Sequence, residues 1–309
     1  MQIVYMGTPE FAVPGLRALA ESHHEVVGVV TGPDVPAGRG QTIRATPVKL
    51  LAEQLGLPIL QPSSLSAPEF LDQLYNLEAD IIVVVAFRIL PDEVIRATRL
   101  GAINLHASRL PKYRGAAPIN WAIIKGEKET GITIFQIKSR VDTGDILYQQ
   151  TVAIREQDTY GDLYTRLAQL GAPALVQVLD RLETDAITAV RQDDSQATRA
   201  PKIYPEMGRI DWSQSAVAIR NLIHGLSPVP GAFSFFGKRR IKFLRARFSS
   251  EDSQQAPGVI VNKGRHDLGI QTGAGILYPL ELQAEGKKAL PVADFLRGFQ
   301  GKSGDSFRS

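Results

Sequence analysis

Cysteine is absent from the 309-residue sequence. A chain without thiols forms no disulfide, has no thiolate nucleophile, and offers no cysteine ligand to zinc or to an iron–sulfur cluster. No apolar run approaches the roughly 18 residues of a transmembrane helix, and the N-terminal residues lack the basic and apolar regions of a secretory signal. We therefore expect a cytoplasmic protein that makes no contact with membranes.

Two nucleotide-binding fingerprints are also missing. The first predicted turn from strand to helix reads Met6-Gly7-Thr8-Pro9-Glu10, which lacks G-x-G-x-x-G, and no G-x-x-x-x-G-K-[ST] motif occurs anywhere. Because these motifs hold the phosphates of dinucleotides and of nucleoside triphosphates, their absence disfavours an NAD-dependent dehydrogenase and a P-loop enzyme.

The chain as a whole has little excess of charge of either sign, with 35 Lys and Arg against 32 Asp and Glu. The net charge of +3 hides an asymmetry, because residues 207–309 carry 15 basic and 8 acidic side chains, a net charge of +7. Residues 1–206 carry a net charge of −4. A basic C-terminal third is typical of a protein that binds a polyanion, but a small, well-solvated domain has the same composition.

Strands alternate with helices through the first half of the sequence. The run 80–86, DIIVVVA, is largely β-branched, as expected of a central parallel strand buried on both faces. Further strands are predicted at 2–6, 25–31, 58–60, 101–105, 131–138 and 145–154, and helices at 47–55, 68–76, 118–125 and 159–182. The alternation predicts an α/β fold with a Rossmann-like, doubly wound and mostly parallel sheet, whose ligands bind beyond the carboxyl ends of the strands.

The last third has a different pattern. After a predicted helix at 213–225, short apolar runs are interrupted by Gly or Pro every 8–12 residues, which predicts a small antiparallel β-barrel. Residues 188–206 are polar and without periodicity, and we interpret them as a linker. The predicted domains are therefore 1–187 and 207–309.

Asn104-Leu105-His106 is the sharpest local signal for chemistry, since it lies at the carboxyl end of a predicted parallel strand. Alternation along a strand places Asn104 and His106 on the same side. A carboxamide beside an imidazole can stabilise an oxygen that becomes negative in a transition state. One of the two carboxylates in the turn 141–145, Val-Asp-Thr-Gly-Asp, could face the ligand crevice, pair with His106 and orient it. The alternatives are a buried polar pair satisfied by backbone groups and an ordinary tight turn.

Three basic segments could hold an anion. They are the loop 107–118, the glycine-flanked Arg39 in the loop 36–40, and the run 238–247, which reads KRRIKFLRAR. Each is also compatible with a solvated connection or an edge strand.

Eight short motifs follow one another along nearly the whole chain: GTPEFAVPGL, PDVPAGRG, ADIIVVVAFRILP, NLHASRLPKYRGAAPINWAI, ETGITIF, VDTGDIL, RIDWSQSA and GKKAL. In this order they resemble the pattern of the methionyl-tRNA formyltransferase family. The stretch NLHASxLPxxRGAAPI is the most specific, because it is typical of formyltetrahydrofolate-dependent transferases. Position 109 is Arg, where that family usually has Leu.

The resemblance implies transfer of a formyl group from 10-formyltetrahydrofolate to the α-amine of methionyl initiator tRNA. It implies Asn104, His106 and Asp142 as catalytic residues, without a metal, in a monomeric enzyme whose C-terminal domain is OB-like. The folate contacts that it implies are Phe87, Ile89, Leu90, Ser108, Arg109, Leu110, Pro111 and Asp142. The tRNA contacts that we expect are Arg39, Lys238, Arg239, Arg240 and Lys242.

Three other functions remain open. Glycinamide ribonucleotide formyltransferases and sugar-nucleotide formyltransferases share this catalytic set, although the former need only one domain. A non-catalytic RNA-binding protein could use the basic C-terminal domain, but it would have no need of Asn104, His106 and Asp142.

Overall fold

The computed structural model describes residues 1–37 and 42–308. The chain forms two compact units. The first comprises Met1–Gly115, Thr130–Val152 and Tyr164–Arg199. The second comprises the separate segments Ala116–Glu129 and Ala153–Leu163 and continues from Ala200 onward.

The described elements follow the alternation that the sequence predicts. The strands are β1 Gln2–Gly7, β2 Glu25–Val30, β3 Val35–Ala37, β4 Thr42–Arg44, β5 Ile59–Leu60, β6 Ile81–Val85, β7 Ala102–His106, β8 Glu129–Gln136, β9 Ile146–Ala153, β10 Ala232–Phe236, β11 Arg239–Ser249, β12 Ile260–Lys263, β13 Leu268–Gln271, β14 Ile276–Ala284 and β15 Leu290–Pro291. The α-helices are α1 Val13–Ala20, α2 Pro47–Gln54, α3 Pro68–Tyr75, α4 Asp92–Ile95, α5 Pro118–Ile124, α6 Tyr160–Glu183, α7 Ala216–Leu226 and α8 Val292–Leu296. Short 3-10 helices occupy Glu10–Ala12, Asp194–Gln196 and Pro205–Gly208. None of the described helices combines the length and apolarity needed to cross a bilayer.

The first unit is built on a seven-stranded sheet with the order β5-β2-β1-β6-β7-β8-β9. The pairs from β5 to β7 are parallel, and β7 and β8 are antiparallel. All five side chains of β6 are buried, because a central parallel strand is covered on both faces. The mostly parallel, Rossmann-like sheet predicted from the sequence is confirmed.

A close approach between α6 and β7 sets the position of the strand that carries the candidate site. A Cβ at Gly171 would lie 2.4 Å from Cδ2 of Leu105, so a larger residue at this position would force the Leu105 side chain to move. Leu105 is buried between Asn104 and His106, and its packing therefore fixes the direction in which those two polar side chains point.

The second unit contains an antiparallel sheet with the order β10-β11-β14-β13-β12, with β15 paired to β14. Arg308 pairs with Phe235 of one edge strand, and Ser306 pairs with Val259 beside the other. The C-terminal residues thus join the two edges and close the sheet, as expected of a small barrel that leaves no free edge. The antiparallel C-terminal fold predicted from the sequence is confirmed.

An aromatic cluster fills the barrel. Trp212, Phe243 and Phe307 are each at most 3% exposed, and the Trp212 ring meets the Phe243 ring edge to face at 5.6 Å. The indole Nε1 donates to Oγ of Ser234 at 2.9 Å, so its buried N–H is satisfied. Burial of side chains of this size contributes about 1.5–3 kcal/mol each, which makes this cluster the main stabilising core of the unit.

Candidate active site

His106 is the last residue of β7 and is 7% exposed. Its Nε2 lies 2.9 Å from the carbonyl oxygen of Tyr113. Because a carbonyl can only accept, Nε2 carries the hydrogen and donates it. Nδ1 is therefore the nitrogen that can gain or lose a proton, and it faces Oδ2 of Asp142 at 3.8 Å.

Asn104 lies two residues earlier on the same strand and is half-buried. Strand alternation turns its side chain to the same side as that of His106. Within the described part of the chain its carboxamide has no hydrogen-bond partner. A half-buried amide with unused donors is free to bind a ligand, which distinguishes Asn104 from a buried polar residue satisfied by its neighbours.

Asp142 sits in the loop between β8 and β9 with a φ of 54°. Its Oδ2 accepts a hydrogen bond from the backbone N–H of Gly115 at 2.8 Å. The loop lies so close to β8 that a Cβ at Gly144 would be 1.5 Å from the carbonyl oxygen of Gln136. Only glycine can occupy position 144, and its presence lets the loop bring Asp142 to His106.

Thr133 on β8 holds the loop that follows His106. Its Oγ1 donates to the carbonyl of Ser108 at 2.7 Å and accepts from the backbone N–H of Leu110 at 3.1 Å. Nε2 of Gln149 reaches both Thr133 Oγ1 and the carbonyl of Leu110. The Leu110–Pro111 peptide bond is cis. The hydrogen bonds from Thr133 and Gln149 give the loop a defined path beside the site.

The predicted folate-contacting residues divide by exposure. Leu90, Ser108 and Leu110 are buried, and Ser108 Oγ donates to the carbonyl of Lys112 at 2.6 Å. Ile89 is 74% exposed, Arg109 is also exposed, and Phe87 and Pro111 are half-buried. The buried three therefore shape the loops, whereas the other four, with Asp142, offer side-chain surface to a ligand.

The predicted tRNA-contacting residues lie on one hairpin, except Arg39, which is outside the described residues. Lys238 and Arg239 are exposed, and neither forms an ion pair with any residue that the structure describes. Arg240 and Lys242 alternate along β11 and line a shallow pocket with Gln283. Arg240 pairs with Glu285 at 3.1 Å, and Nζ of Lys242 donates to the carbonyl of Pro230 at 2.7 Å.

A β-bulge extends the basic face of β11. The register against β14 shifts at Arg245, after which Ala246 points into the core in place of residue 245. Arg245 and Arg247 thereby join Arg240 and Lys242 on the outer face. Both carry acidic partners, because Arg245 pairs with Asp162 at 2.8 Å and Arg247 pairs with Asp267 at 3.2 Å.

Gln192 is one of the residues of this site that the sequence did not reveal, together with Thr133 and Gln149. It falls in the stretch interpreted as a linker, yet it is 6% exposed and donates to the backbone carbonyls of Asp142 and Gly144. Arg114 binds both Gln192 and Asp194, and this contact lowers the pKa of the Asp194 carboxyl. A glutamine in a polar, aperiodic stretch has no sequence signal that would reveal such contacts.

A mostly parallel sheet with a polar cluster at one strand end, followed by a closed antiparallel sheet, defines an α/β enzyme with an appended barrel. Comparison with known families agrees with that division. The model described as "Formyl transferase" matches residues 1–179, and "Formyl transferase, C-terminal domain" matches residues 202–300. The chain therefore belongs to the formyl transferase family.

Sequences similar to this chain indicate which activity within the family it resembles. A methionyl-tRNA formyltransferase of Citrifermentans bemidjiense is 46% identical over 97% of this chain and 94% of its own length. One of Alkaliphilus oremlandii is 44% identical over 96% of both chains. The solved structure of a methionyl-tRNA formyltransferase from Clostridium thermocellum has a TM-score of 0.56 at 18% identity, covering 88% of this chain and 99% of its own, which shows a shared fold.

Proposed function

We propose that the chain transfers the formyl group of 10-formyltetrahydrofolate to the α-amino group of methionyl initiator tRNA. The product, formylmethionyl-tRNA, serves translation initiation. The observation that carries the proposal is the 44–46% identity to methionyl-tRNA formyltransferases along both units, joined to the arrangement of Asn104, His106 and Asp142.

The proposed chemistry is direct acyl transfer. The methionyl nitrogen attacks the formyl carbon, and the formyl oxygen becomes an oxyanion in a tetrahedral intermediate. Collapse breaks the bond to N10 of the folate, which leaves as tetrahydrofolate with a proton, while the new amide nitrogen loses one. This sequence needs no covalent enzyme intermediate and no metal.

Asn104 and His106 are proposed to stabilise the oxyanion. The Asn104 carboxamide has donors that no described residue uses, and Nδ1 of His106 is left to exchange a proton because Nε2 is committed to Tyr113. A donor aimed at a developing oxyanion typically contributes about 10²–10³ in rate.

Asp142 is proposed to favour the charged imidazole and to relay a proton from the attacking amine. When His106 is protonated, both of its N–H groups face oxygen atoms, namely the Tyr113 carbonyl and the Asp142 carboxylate. A carboxylate 3.8 Å away stabilises that cation. The distance exceeds an ordinary hydrogen bond, so the Nδ1 proton remains available to a substrate atom.

The folate is proposed to bind along the loops after β6 and β7, where Phe87, Ile89, Arg109, Pro111 and Asp142 offer surface. Leu90, Ser108 and Leu110 would support those loops from within. The tRNA is proposed to bind Arg39 and the basic hairpin Lys238, Arg239, Arg240 and Lys242. In this assignment residues 1–187 carry the chemistry of a cytoplasmic monomer, 188–206 connect, and 207–309 contact tRNA.

A transfer assay with competing acceptors tests the proposal. Purified protein is given 10-formyltetrahydrofolate with methionyl initiator tRNA, with glycinamide ribonucleotide, or with an amino-sugar nucleotide, and the formylated product is measured. We expect formylation of the charged tRNA alone. Formylation of either small acceptor without reaction of the tRNA would show that the small molecule, and not the tRNA, is the acceptor. No formylation at all would contradict the proposed activity.

Arg39 has a separate test. Arg39→Ala should lower kcat/KM for methionyl-tRNA by about three- to fourfold, the order expected when one phosphate is no longer neutralised, with the KM for the folate unchanged. Initial rates at varied tRNA and varied folate measure the two effects. Unaltered tRNA kinetics would take the 36–40 loop out of tRNA recognition.

A further inference from the structure

We propose that Gln192 is a positioning residue for Asp142: its amide joins the loop that carries Asp142 to the 113–115 segment (Tyr113, Arg114 and Gly115), and so sets the distance between Asp142 and His106. The proposal deepens the formyl-transfer function and rests on it. It assigns an active-site role to a residue in the stretch 188–206, which the sequence pattern marks only as a connection.

The nitrogen of the Gln192 amide fixes the Asp142 loop. Nε2 donates one hydrogen to the carbonyl of Asp142 at 3.0 Å and the other to the carbonyl of Gly144 at 2.7 Å. The two carbonyls flank Thr143 at the apex of the loop, so one side chain holds both sides of the turn. Asp142 has a positive φ, a conformation that a non-glycine residue keeps only when its surroundings impose it.

The oxygen of the same amide fixes the facing segment. Oε1 accepts from Nε of Arg114 at 3.2 Å and from Nη2 of Arg114 at 2.7 Å. The Arg114 guanidinium is further held by Asp194 at 2.6 Å. Two N–H groups and two oxygen lone pairs are the full capacity of a glutamine side chain, and all four are used here.

The 113–115 segment touches two of the three proposed catalytic side chains. The Tyr113 carbonyl accepts from His106, and the Gly115 N–H donates to Asp142. Arg114, between them, is the residue that Gln192 binds. The Gln192 amide therefore constrains Asp142 in two ways. It binds the backbone carbonyl of Asp142 directly, and it binds Arg114, which precedes the residue whose N–H binds the Asp142 carboxylate, Gly115.

The surrounding stretch is anchored independently of Gln192. Val190 forms a pair of backbone hydrogen bonds with Ile146, and Thr198 accepts from the N–H of Tyr113 through Oγ1 and from the N–H of Arg114 through its carbonyl. These contacts should keep the chain in place when the Gln192 side chain is removed. A substitution at 192 then changes the site without detaching the segment.

The four hydrogen bonds of the Gln192 amide form a clamp with two halves: one half joins the carbonyls of Asp142 and Gly144, and the other joins Arg114. Two substitutions separate these halves. Gln192→Ala removes both halves. Gln192→Glu keeps the shape and the bonds from Arg114, but a carboxylate cannot donate to the carbonyls of Asp142 and Gly144. We expect both variants to lower kcat for formyl transfer by about 10–100-fold, since misplacing a catalytic group by about 1 Å can cost that much, with KM for tRNA and folate within threefold of the wild-type values.

A further readout distinguishes positioning from a general loss of structure. Deuterium exchange at the backbone N–H of Gly115 should become faster in the free protein, because the carboxylate that accepts from it is no longer fixed. Gln196→Ala is the matched control, since among the residues that the structure describes the Gln196 amide binds only the exposed Asp193.

The outcomes are distinct. An inactive wild-type protein would overturn the proposed function, while the exchange at Gly115 would still report on the clamp. Active wild-type protein with unchanged kcat and unchanged exchange at Gly115 in Gln192→Ala would overturn the positioning role. Full activity in Gln192→Glu alone would assign the role to Arg114 and remove the carbonyl half of the clamp. Equal losses in Gln196→Ala, or circular dichroism that changes in the Gln192 variants alone, would reduce the effect to a structural one.

Discussion

The two polar regions of this molecule use their side chains in opposite ways. Around His106, polar groups are mostly buried and linked to one another through backbone atoms, as with Gln192, Thr133 and Asp142. On β11 and its hairpin, the cations lie on an outer face, some paired with acids and some exposed. The first arrangement fixes the positions of individual side chains, whereas the second supplies a positive electrostatic field.

This difference predicts different responses to mutation. Removal of one atom from a buried, fully used network leaves its partners unsatisfied, and the cost is large and local. Removal of one exposed cation alters an interaction that salt already screens, and the cost is small and graded. The chemistry of transfer requires the first kind of region, and recognition of a polyanion requires only the second.

His106→Ala should produce the largest effect. It removes the imidazole that we propose to stabilise the oxyanion, and we expect kcat to fall by about 10²–10³ or more with the KM for folate little changed. Single-turnover formyl transfer at saturating substrate measures this loss. The unfolding midpoint of the variant serves as the control, and turnover close to wild type in a folded variant would remove His106 from the mechanism.

The second unit contains a buried group of its own, and it offers a pH-dependent test of stability. His224 is fully buried, and its burial, assisted by the Arg220 charge, lowers the pKa of the imidazole from 6.5 to about 4. Nε2 accepts from the N–H of Ala246, and Nδ1 has no partner among the described residues. In the unfolded chain His224 binds a proton below about pH 6.5, whereas in the folded chain it stays neutral down to about pH 4. Because the unfolded state binds more protons in this range, acid favours unfolding.

The free energy of unfolding should therefore fall by about 3 kcal/mol from this group between pH 7 and pH 4, at about 1.4 kcal/mol per unit of pKa difference. Urea unfolding of the wild type and of His224→Gln at both pH values isolates the contribution, since Gln does not titrate. The exposed His266 provides the matched control, His266→Gln. A His224→Gln variant as sensitive to acid as the wild type would contradict the assignment.

The sequence predicts elements whose signal is local and periodic. The β-branched run in β6 and the apolar face of α6 determine those elements before any tertiary contact is known. The Asn-x-His motif likewise follows from strand alternation, which is why Asn104 and His106 are correctly placed at the end of β7. The four-residue α4 is too short to have a period, and the sequence analysis does not predict it.

Contacts between distant positions are beyond such patterns. The bulge at Arg245 depends on the pairing of β11 with β14, so the sequence analysis could not decide whether Arg245 and Arg247 share a face with Arg240. The bonds of Gln192 to Asp142 span 50 residues and involve backbone carbonyls, which every residue type possesses. The roles of the site residues themselves stay predictions until the variants are measured.

The smallest of these effects concerns the exposed cations of the hairpin. Lys238→Ala combined with Arg239→Ala removes two cations that have no acidic partner among the described residues. Each phosphate that is no longer neutralised should reduce the slope of log affinity against log salt by about 0.7–0.9, and two such phosphates should weaken tRNA binding by roughly tenfold near physiological salt. The turnover of bound tRNA should not change, because neither residue belongs to the proposed catalytic set.

A charge-matched control makes this test decisive. Arg247→Ala combined with Arg297→Ala also removes two cations, but these pair with Asp267 and Asp294. If recognition depends on cations free to meet phosphate, titrations from low to moderate salt will show a shallower slope for the first pair of substitutions and the wild-type slope for the second. Equal slopes of log affinity against log salt for both double variants would mean that net charge alone attracts the tRNA. The hairpin would then bind tRNA no more specifically than other cations of the chain.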